Sequence, residues 1–273
     1  MKSKELFPSI FSRHAAAYDR RLDEIMSRGE ARGRQRVIDL VKARPGMRIL
    51  DLACGPGNLT RRLAALTGPR GEVIGVDLAP GMIEVARSRQ IPSARFEIMD
   101  IEELSFGDAS FDAATCGHGL QFVPHLEAAL GEARRVLRRG AKFAASVPVG
   151  SPSHGAQELL DAVVDRHLPP RPRAIDQDAT RATVSDADAL SRAARQAGFA
   201  SARVEVIEEK VVWRSAEHLV ALFTSWWDCA ARMERLDEDQ RAAFVDDALE
   251  TLRARYPGVL ETTARNLVLD ASA

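Results

Sequence analysis

Ile49-Leu50-Asp51-Leu52-Ala53-Cys54-Gly55-Pro56-Gly57-Asn58 is the segment on which the reading of this chain turns. Met47 to Leu52 is a short apolar run, the pattern of a strand buried on both faces. The glycines that follow allow a turn whose backbone comes close to a ligand. Such a GxG pair is weak on its own. Two details give it direction: an acid, Asp51, sits inside the strand, and Thr60 stands where a dinucleotide fingerprint carries its third glycine.

Outward from this segment, strands alternate with helices. Residues 4–43 read as helical and Pro45-Gly46 closes them. On the other side, Leu59 to Leu66 has helical spacing, Glu72 to Val76 is a second strand and Met82 to Arg89 a second helix. Ala94 to Met99 and Phe111 to Cys116 are strands three and four. Leu126 to Leu137 is expected as a helix ended by Arg138-Arg139-Gly140, with Lys142 to Val147 as strand five. Arg134-Arg135 and Arg138-Arg139 read as solvated charges favourable to the dipole at that helix end. The alternation predicts an α/β fold, a Rossmann-like doubly wound sheet whose ligand lies beyond the carboxyl ends of the strands.

After strand five the pattern changes. Residues 148–173 hold five prolines with His154 and His167 between them, and read as a cap or substrate loop. Ser185 to Ala197 reads as a helix, Ala202 to Trp213 as a strand, residues 215–255 as two helical stretches and Thr263 to Ala271 as a last strand. The expected organisation is an N-terminal helical lid (residues 1–43), a ligand-binding core (44–150), and a segment (151–273) with a cap, the remaining core strands and a helical insertion at about 215–258.

Two further acids follow the next two strands. Asp77 ends Val73-Ile74-Gly75-Val76, where a carboxylate can accept from both hydroxyls of a ribose. Asp100 follows Met99, where it can accept from an adenine amino group while Ile101 covers the ring. Each acid alone has a plainer reading, as a turn, loop or helix cap. Together they favour a nucleoside ligand. Asp77 suits NAD and S-adenosyl-L-methionine alike, whereas an acid at Asp51 suits a ligand whose amino-acid tail carries an ammonium.

The order of these elements resembles the class I S-adenosylmethionine-dependent methyltransferases, in particular the ubiquinone/menaquinone-type and natural-product small-molecule enzymes. Phe11 with Ala17-Tyr18-Asp19, Phe111 to Cys116, and Glu132-Ala133-Arg134-Arg135-Val136-Leu137-Arg138-Arg139-Gly140 carry that likeness beside the glycine segment. It covers residues 11–150 well and the remainder in outline. The resemblance implies a seven-stranded sheet with an antiparallel last strand, bearing helical lid and cap insertions. It implies S-adenosyl-L-methionine as cofactor and S-adenosyl-L-homocysteine as its product. Tyr18 would approach the cofactor; Asp51, Ala53, Gly55 and Gly57 would cradle its methionine part, with backbone from Cys116 and Gly117. Asp77 would hold the ribose, Leu78 and Met82 would flank the adenine, and Asp100 and Ile101 would read its edge.

Methyl transfer is an in-line displacement that asks the protein mainly for alignment and exclusion of water. A base is needed where the acceptor keeps a proton, and His118, just past strand four, is the candidate. Gln121, His154, Phe223, Trp226 and Trp227 are candidate substrate-lining residues. The rival readings are a cofactor-binding protein of the same fold that transfers no methyl group, and an NAD-type oxidoreductase. With 38 basic against 39 acidic residues, the chain lacks the excess that nucleic-acid binding needs. Cys54, Cys116 and Cys229 are odd in number and widely spaced, against disulfides or a metal site. No apolar run suggests a membrane span or signal core. The expectation is a cytoplasmic enzyme of secondary metabolism with a small-molecule acceptor, no nucleic-acid or membrane partner, and room for a homodimer.

Overall fold

The computed structural model describes residues 1–150 and 155–273. β1 (Arg48–Leu52) lies mid-sheet, parallel to β2 (Glu72–Asp77) on one side and β4 (Phe111–Gly117) on the other. β3 (Ala94–Ile98) continues beyond β2, and β5 (Leu137–Val149) beyond β4. β7 (Leu260–Ser272) runs antiparallel to both β5 and β6 (Ser201–Trp213), which gives seven strands in the order 3-2-1-4-5-7-6. Strand order reverses between β1 and β4, so the crevice of a doubly wound sheet opens past the end of β1.

Both faces are covered, which is why the central strands are apolar at consecutive positions. On one face Leu50, Leu52, Ile74, Val76 and Phe143 pack under α5 (Leu126–Val136) and α8 (Ala187–Gln196). On the other, Ile49, Val73, Ala113 and Val268 meet α2 (Arg32–Val41) and α3 (Asn58–Thr67).

Residues 4–43 form not one helix but α1 (Ser3–Ser27) and α2, with a break at Gly29-Glu30. Helix α5 stops at Val136, and Arg138-Arg139-Gly140 belongs to β5. Phe111 pairs with Leu137 and Ala113 with Lys142, so the intervening residues bulge from the sheet. Arg135 is not a solvated helix-end charge. Its guanidinium donates to Glu132 (2.7 Å), Asp108 (2.8 Å) and the carbonyls of Leu104 (2.9 Å) and Phe106 (2.7 Å). It clamps the long connection from β3 to β4, which must run without a helix of its own. Arg138 likewise bonds Asp112.

The expected cap loop at 148–173 contains α6 (Ala156–His167). The prolines of that stretch all fall outside it, and Ala156, Leu160, Val163 and Val164 are buried at helical spacing. A short α7 (Asp178–Val184) follows. Residues after β6 form three helices rather than two: α9 (Ala216–Phe223), α10 (Trp227–Met233) and α11 (Glu238–Arg255). Asp237 and Gln240 close a reciprocal capping box at the start of α11. With α6 these helices bury a second core around Trp213, Leu219, Phe244 and Leu252.

Helix α1 crosses the crevice and rests on α4 (Pro80–Ser88). The approach is very close: a Cβ added to Gly81 would stand 2.5 Å from the Ser12 carbonyl oxygen, while the Gly81 amide donates to the Ser12 hydroxyl at 3.1 Å. Because backbone is what stands in the way, Gly81→Ala should lift α1 and cost about 1–3 kcal/mol of stability. Thermal unfolding measures this; an unchanged midpoint would contradict the packing described.

Candidate active site

Asp51 is the most constrained polar residue of the sheet, 1% exposed in the middle of β1. Thr115, its neighbour in register on β4, donates a hydrogen bond of 2.8 Å to Oδ1. Thr60, from the first turn of α3, donates one of 2.6 Å to Oδ2. No cation among the described residues pairs with it. Burial, opposed by those two hydroxyls and seconded by the charge of Asp77, pushes its pKa up to about 6.

The turn after β1 is built from left-handed backbone: Ala53, Gly55 and Gly57 have φ of 50°, 54° and 83°. Asp77 fixes this turn, its Oδ2 accepting from the Gly55 amide (2.9 Å) and its Oδ1 from the Ala79 amide (2.9 Å). Each oxygen keeps capacity for a further donor. Burial raises its pKa against those backbone bonds. Asp100 accepts from the Glu102 amide at 2.9 Å, and Lys4 of α1 bridges Asp100 and Glu102 at 2.5 Å each.

These three acids line one cavity with about 930 Å³ of empty space, part of it open to solvent. Tyr18, Ala53, Gly55, Leu78, Met82, Ile101 and Gly117 line it too. Helix α1 roofs it with Phe7, Phe11, Tyr18 and Leu22. Their spacing on one helical face is visible in the sequence, and Phe11 and Tyr18 are among the residues that carry the resemblance. Phe122, in the turn Leu120–Phe122, closes the roof against Phe7 (ring centroids 4.8 Å apart) and Phe11 (5.2 Å).

A second cavity adjoins the first and shares Phe7, Tyr18, Arg34, His118 and Phe122 with it. Gln121, Trp226 and Trp227 line this one. His118 stands between the two, at a left-handed φ of 64° that its amide bond to the Ser146 carbonyl (2.9 Å) helps to fix. Burial, then the Arg34 guanidinium, holds its pKa well below the usual imidazole value, with the nearby Asn266 side chain acting in the other direction.

Three expected site residues, and His167 of the proline-rich stretch, lie elsewhere. Gly57 does not face the cavity: a Cβ there would meet the Phe96 ring at 2.9 Å, so the glycine serves turn geometry and packing. Cys116 is fully buried in the sheet core, and burial raises its thiol pKa. Phe223 packs into the core of the helical insertion. His167 bonds Asp247 (Nε2 to Oδ2, 2.8 Å) and ties α6 to α11. His154 lies outside the described residues. Arg34, from α2, was not anticipated; nothing in its sequence surroundings distinguishes it from the neighbouring arginines.

Residues 49–140, the span that carries all three acids, match the family described as methyltransferase domain. Over that span the chain is similar to methyltransferases. It is 38% identical over 148 residues to a ubiquinone/menaquinone biosynthesis C-methyltransferase of Ectopseudomonas mendocina, covering 52% of this chain and 56% of that one. Over 142 residues it is 39% identical to a 2-phytyl-1,4-naphtoquinone methyltransferase of Trichormus variabilis, with 50% and 62% covered. The chain thus spans well under two thirds of these relatives' lengths. In fold it is similar to phosphoethanolamine N-methyltransferase 2 of Haemonchus contortus, at a TM-score of 0.53 and 17% identity, with 87% of this chain and 51% of that one covered.

A buried carboxylate with a raised pKa makes a signed prediction. Between pH 3.8 and about 6 the folded chain holds a proton on Asp51 that the unfolded chain releases, so this group's contribution falls as pH rises through that window. Above it the ionised group costs about 2–3 kcal/mol. Asp51→Asn should therefore stabilise the ligand-free protein at pH 7.5 and lose that advantage by pH 3.5. Chemical denaturation at both values tests this; destabilisation at pH 7.5 would count against it.

Proposed function

We propose that this chain transfers a methyl group from S-adenosyl-L-methionine to an oxygen, carbon or nitrogen of a small, partly apolar metabolite, leaving S-adenosyl-L-homocysteine. The observation that carries this reading is the convergence of Asp51, Asp77 and Asp100, from three successive strands, on one cavity. The residues fit the cofactor. Asp51 is an ionisable buried acid facing the cavity whose partners, two hydroxyls and the Thr60 backbone amide, are all uncharged, the complement of an ammonium. Asp77 keeps acceptor capacity on both oxygens for a ribose diol. Leu78, Met82 and Ile101 offer an apolar slot for a purine, with Asp100 at its edge.

When bound, the cofactor supplies an electrophilic methyl group on a sulfonium. The chain's own task is then positional. Asp51 anchors the amino-acid end, Asp77 sets the nucleoside's register, and the α1 rings with Phe122 exclude water. Residues 1–43 act as the lid. His118, neutral because burial disfavours its charged form, can take a proton at a ring nitrogen from an acceptor that carries one. The near-balance of charge favours a small molecule over a nucleic acid as acceptor. Among the described residues no helix is long and apolar enough to cross a membrane, and three free, buried cysteines suit a reducing cytoplasm.

Calorimetric titration should show S-adenosyl-L-homocysteine binding to the wild type and NAD failing to bind. Asp77→Ala should weaken the former at least tenfold. Binding of NAD instead, or of neither, would sink the reading. For an acceptor with an ionisable proton, His118→Gln should lower kcat about a hundredfold with cofactor affinity within twofold, read from S-adenosyl-L-homocysteine release. An unchanged kcat would remove His118 from the chemistry.

A further inference from the structure

The second cavity has a character that methyl transfer by itself does not require. Its charged lining comprises Arg34, Arg171 and Arg181 against a single acid, Asp228, which Arg171 already pairs at 2.9 Å. Arg34 is the unusual member. It is 5% exposed, and among the described residues its guanidinium has one partner, the Tyr18 hydroxyl at 3.2 Å, and no carboxylate. A guanidinium that deep, without a counter-charge among the described residues, is matched to an anion brought by a ligand.

Close to it in the same cavity, the Oε1 of Gln121 is buried and also lacks a partner. Part of the remaining wall is aromatic. Trp227 meets Phe122 at 5.5 Å and Phe7 at 5.6 Å, both edge-on, and Trp226 stacks on Tyr18 at 5.9 Å. Such walls accept a flat ring. The cavity reaches the cofactor cavity at His118 and Phe122.

We propose that the second cavity binds the methyl acceptor as a flat, ring-bearing anion, with a carboxylate or ionised ring hydroxyl on Arg34 and the ring against Phe122, Trp226 and Trp227. This assignment rests on the methyl-transfer reading above and adds the acceptor's charge and shape to it. Arg34 is a specificity-determining residue: its charge favours the ionised acceptor while leaving the ring contacts to the aromatic wall.

The test uses the intact chain, saturated with S-adenosyl-L-homocysteine, and two probes of nearly equal shape, 2-naphthoate and 2-naphthamide. Calorimetry at pH 7.5 should show naphthoate bound at least tenfold more tightly than the amide. Arg34→Gln should abolish that preference while keeping S-adenosyl-L-homocysteine affinity within about twofold, which also shows that the variant is folded. Arg34→Lys should retain part of the preference. Equal affinity for the two probes, or no binding of either, overturns the assignment. So does a loss of S-adenosyl-L-homocysteine affinity in Arg34→Gln, which would place the guanidinium on the cofactor's own carboxylate. Failure of the wild type to bind S-adenosyl-L-homocysteine is a different result, and removes the methyl-transfer reading and this inference together.

Discussion

A carboxylate buried in the parallel part of the sheet, facing a cavity and answered by hydroxyls and a backbone amide but by no cation among the described residues, is the constraint around which this molecule is arranged. Asp51 can occupy β1 because Thr115 stands beside it in register and Thr60 reaches back from α3. These bonds satisfy the oxygens without neutralising them. Removing the charge would suit the ligand-free fold better, since burial pushes the pKa of this carboxyl up. The same requirement accounts for Thr60, where a dinucleotide-binding turn would carry glycine. A side chain is needed there to hold the acid.

From that point the geometry propagates outward. Asp77 does double duty, tying down the turn after β1 through the Gly55 amide while lining the cavity. The cavity has no roof of its own in the sheet, and α1 supplies one. Contacts with distant segments hold that helix in place: Arg13 and His14 with Glu234 of the insertion, and Glu24 with His218. Asp19 and Asp23 bind Arg89 from beneath. The first and third parts of the chain therefore complete a site whose floor belongs to the middle.

The core was legible because its signals are local and repeated: consecutive apolar residues for strands covered on both faces, glycines at turns, acids at strand ends. What escaped had non-local causes. Arg135 looked like a helix-end charge because its partners, the carbonyls of Leu104 and Phe106, are invisible in a sequence. Prolines around 148–173 masked α6, although its apolar spacing was present. Phe223 shared helical spacing with the tryptophans yet turned into the insertion's own core, while Phe7 and Phe11 came to the cavity from the far end of the chain. Gly57 kept its place in the turn but serves Phe96 rather than the ligand face.

The distribution of indoles has a practical side. The chain has three tryptophans, and Trp226 and Trp227 both border the second cavity, whereas Trp213 is 2% exposed and bonded to Thr262 at 2.9 Å. Emission from the buried one is a steady background, insulated from events at the crevice. The other two sit where an arriving molecule must alter their solvation and their ring neighbours. The protein thus carries its own optical gauge of occupancy, with no label required.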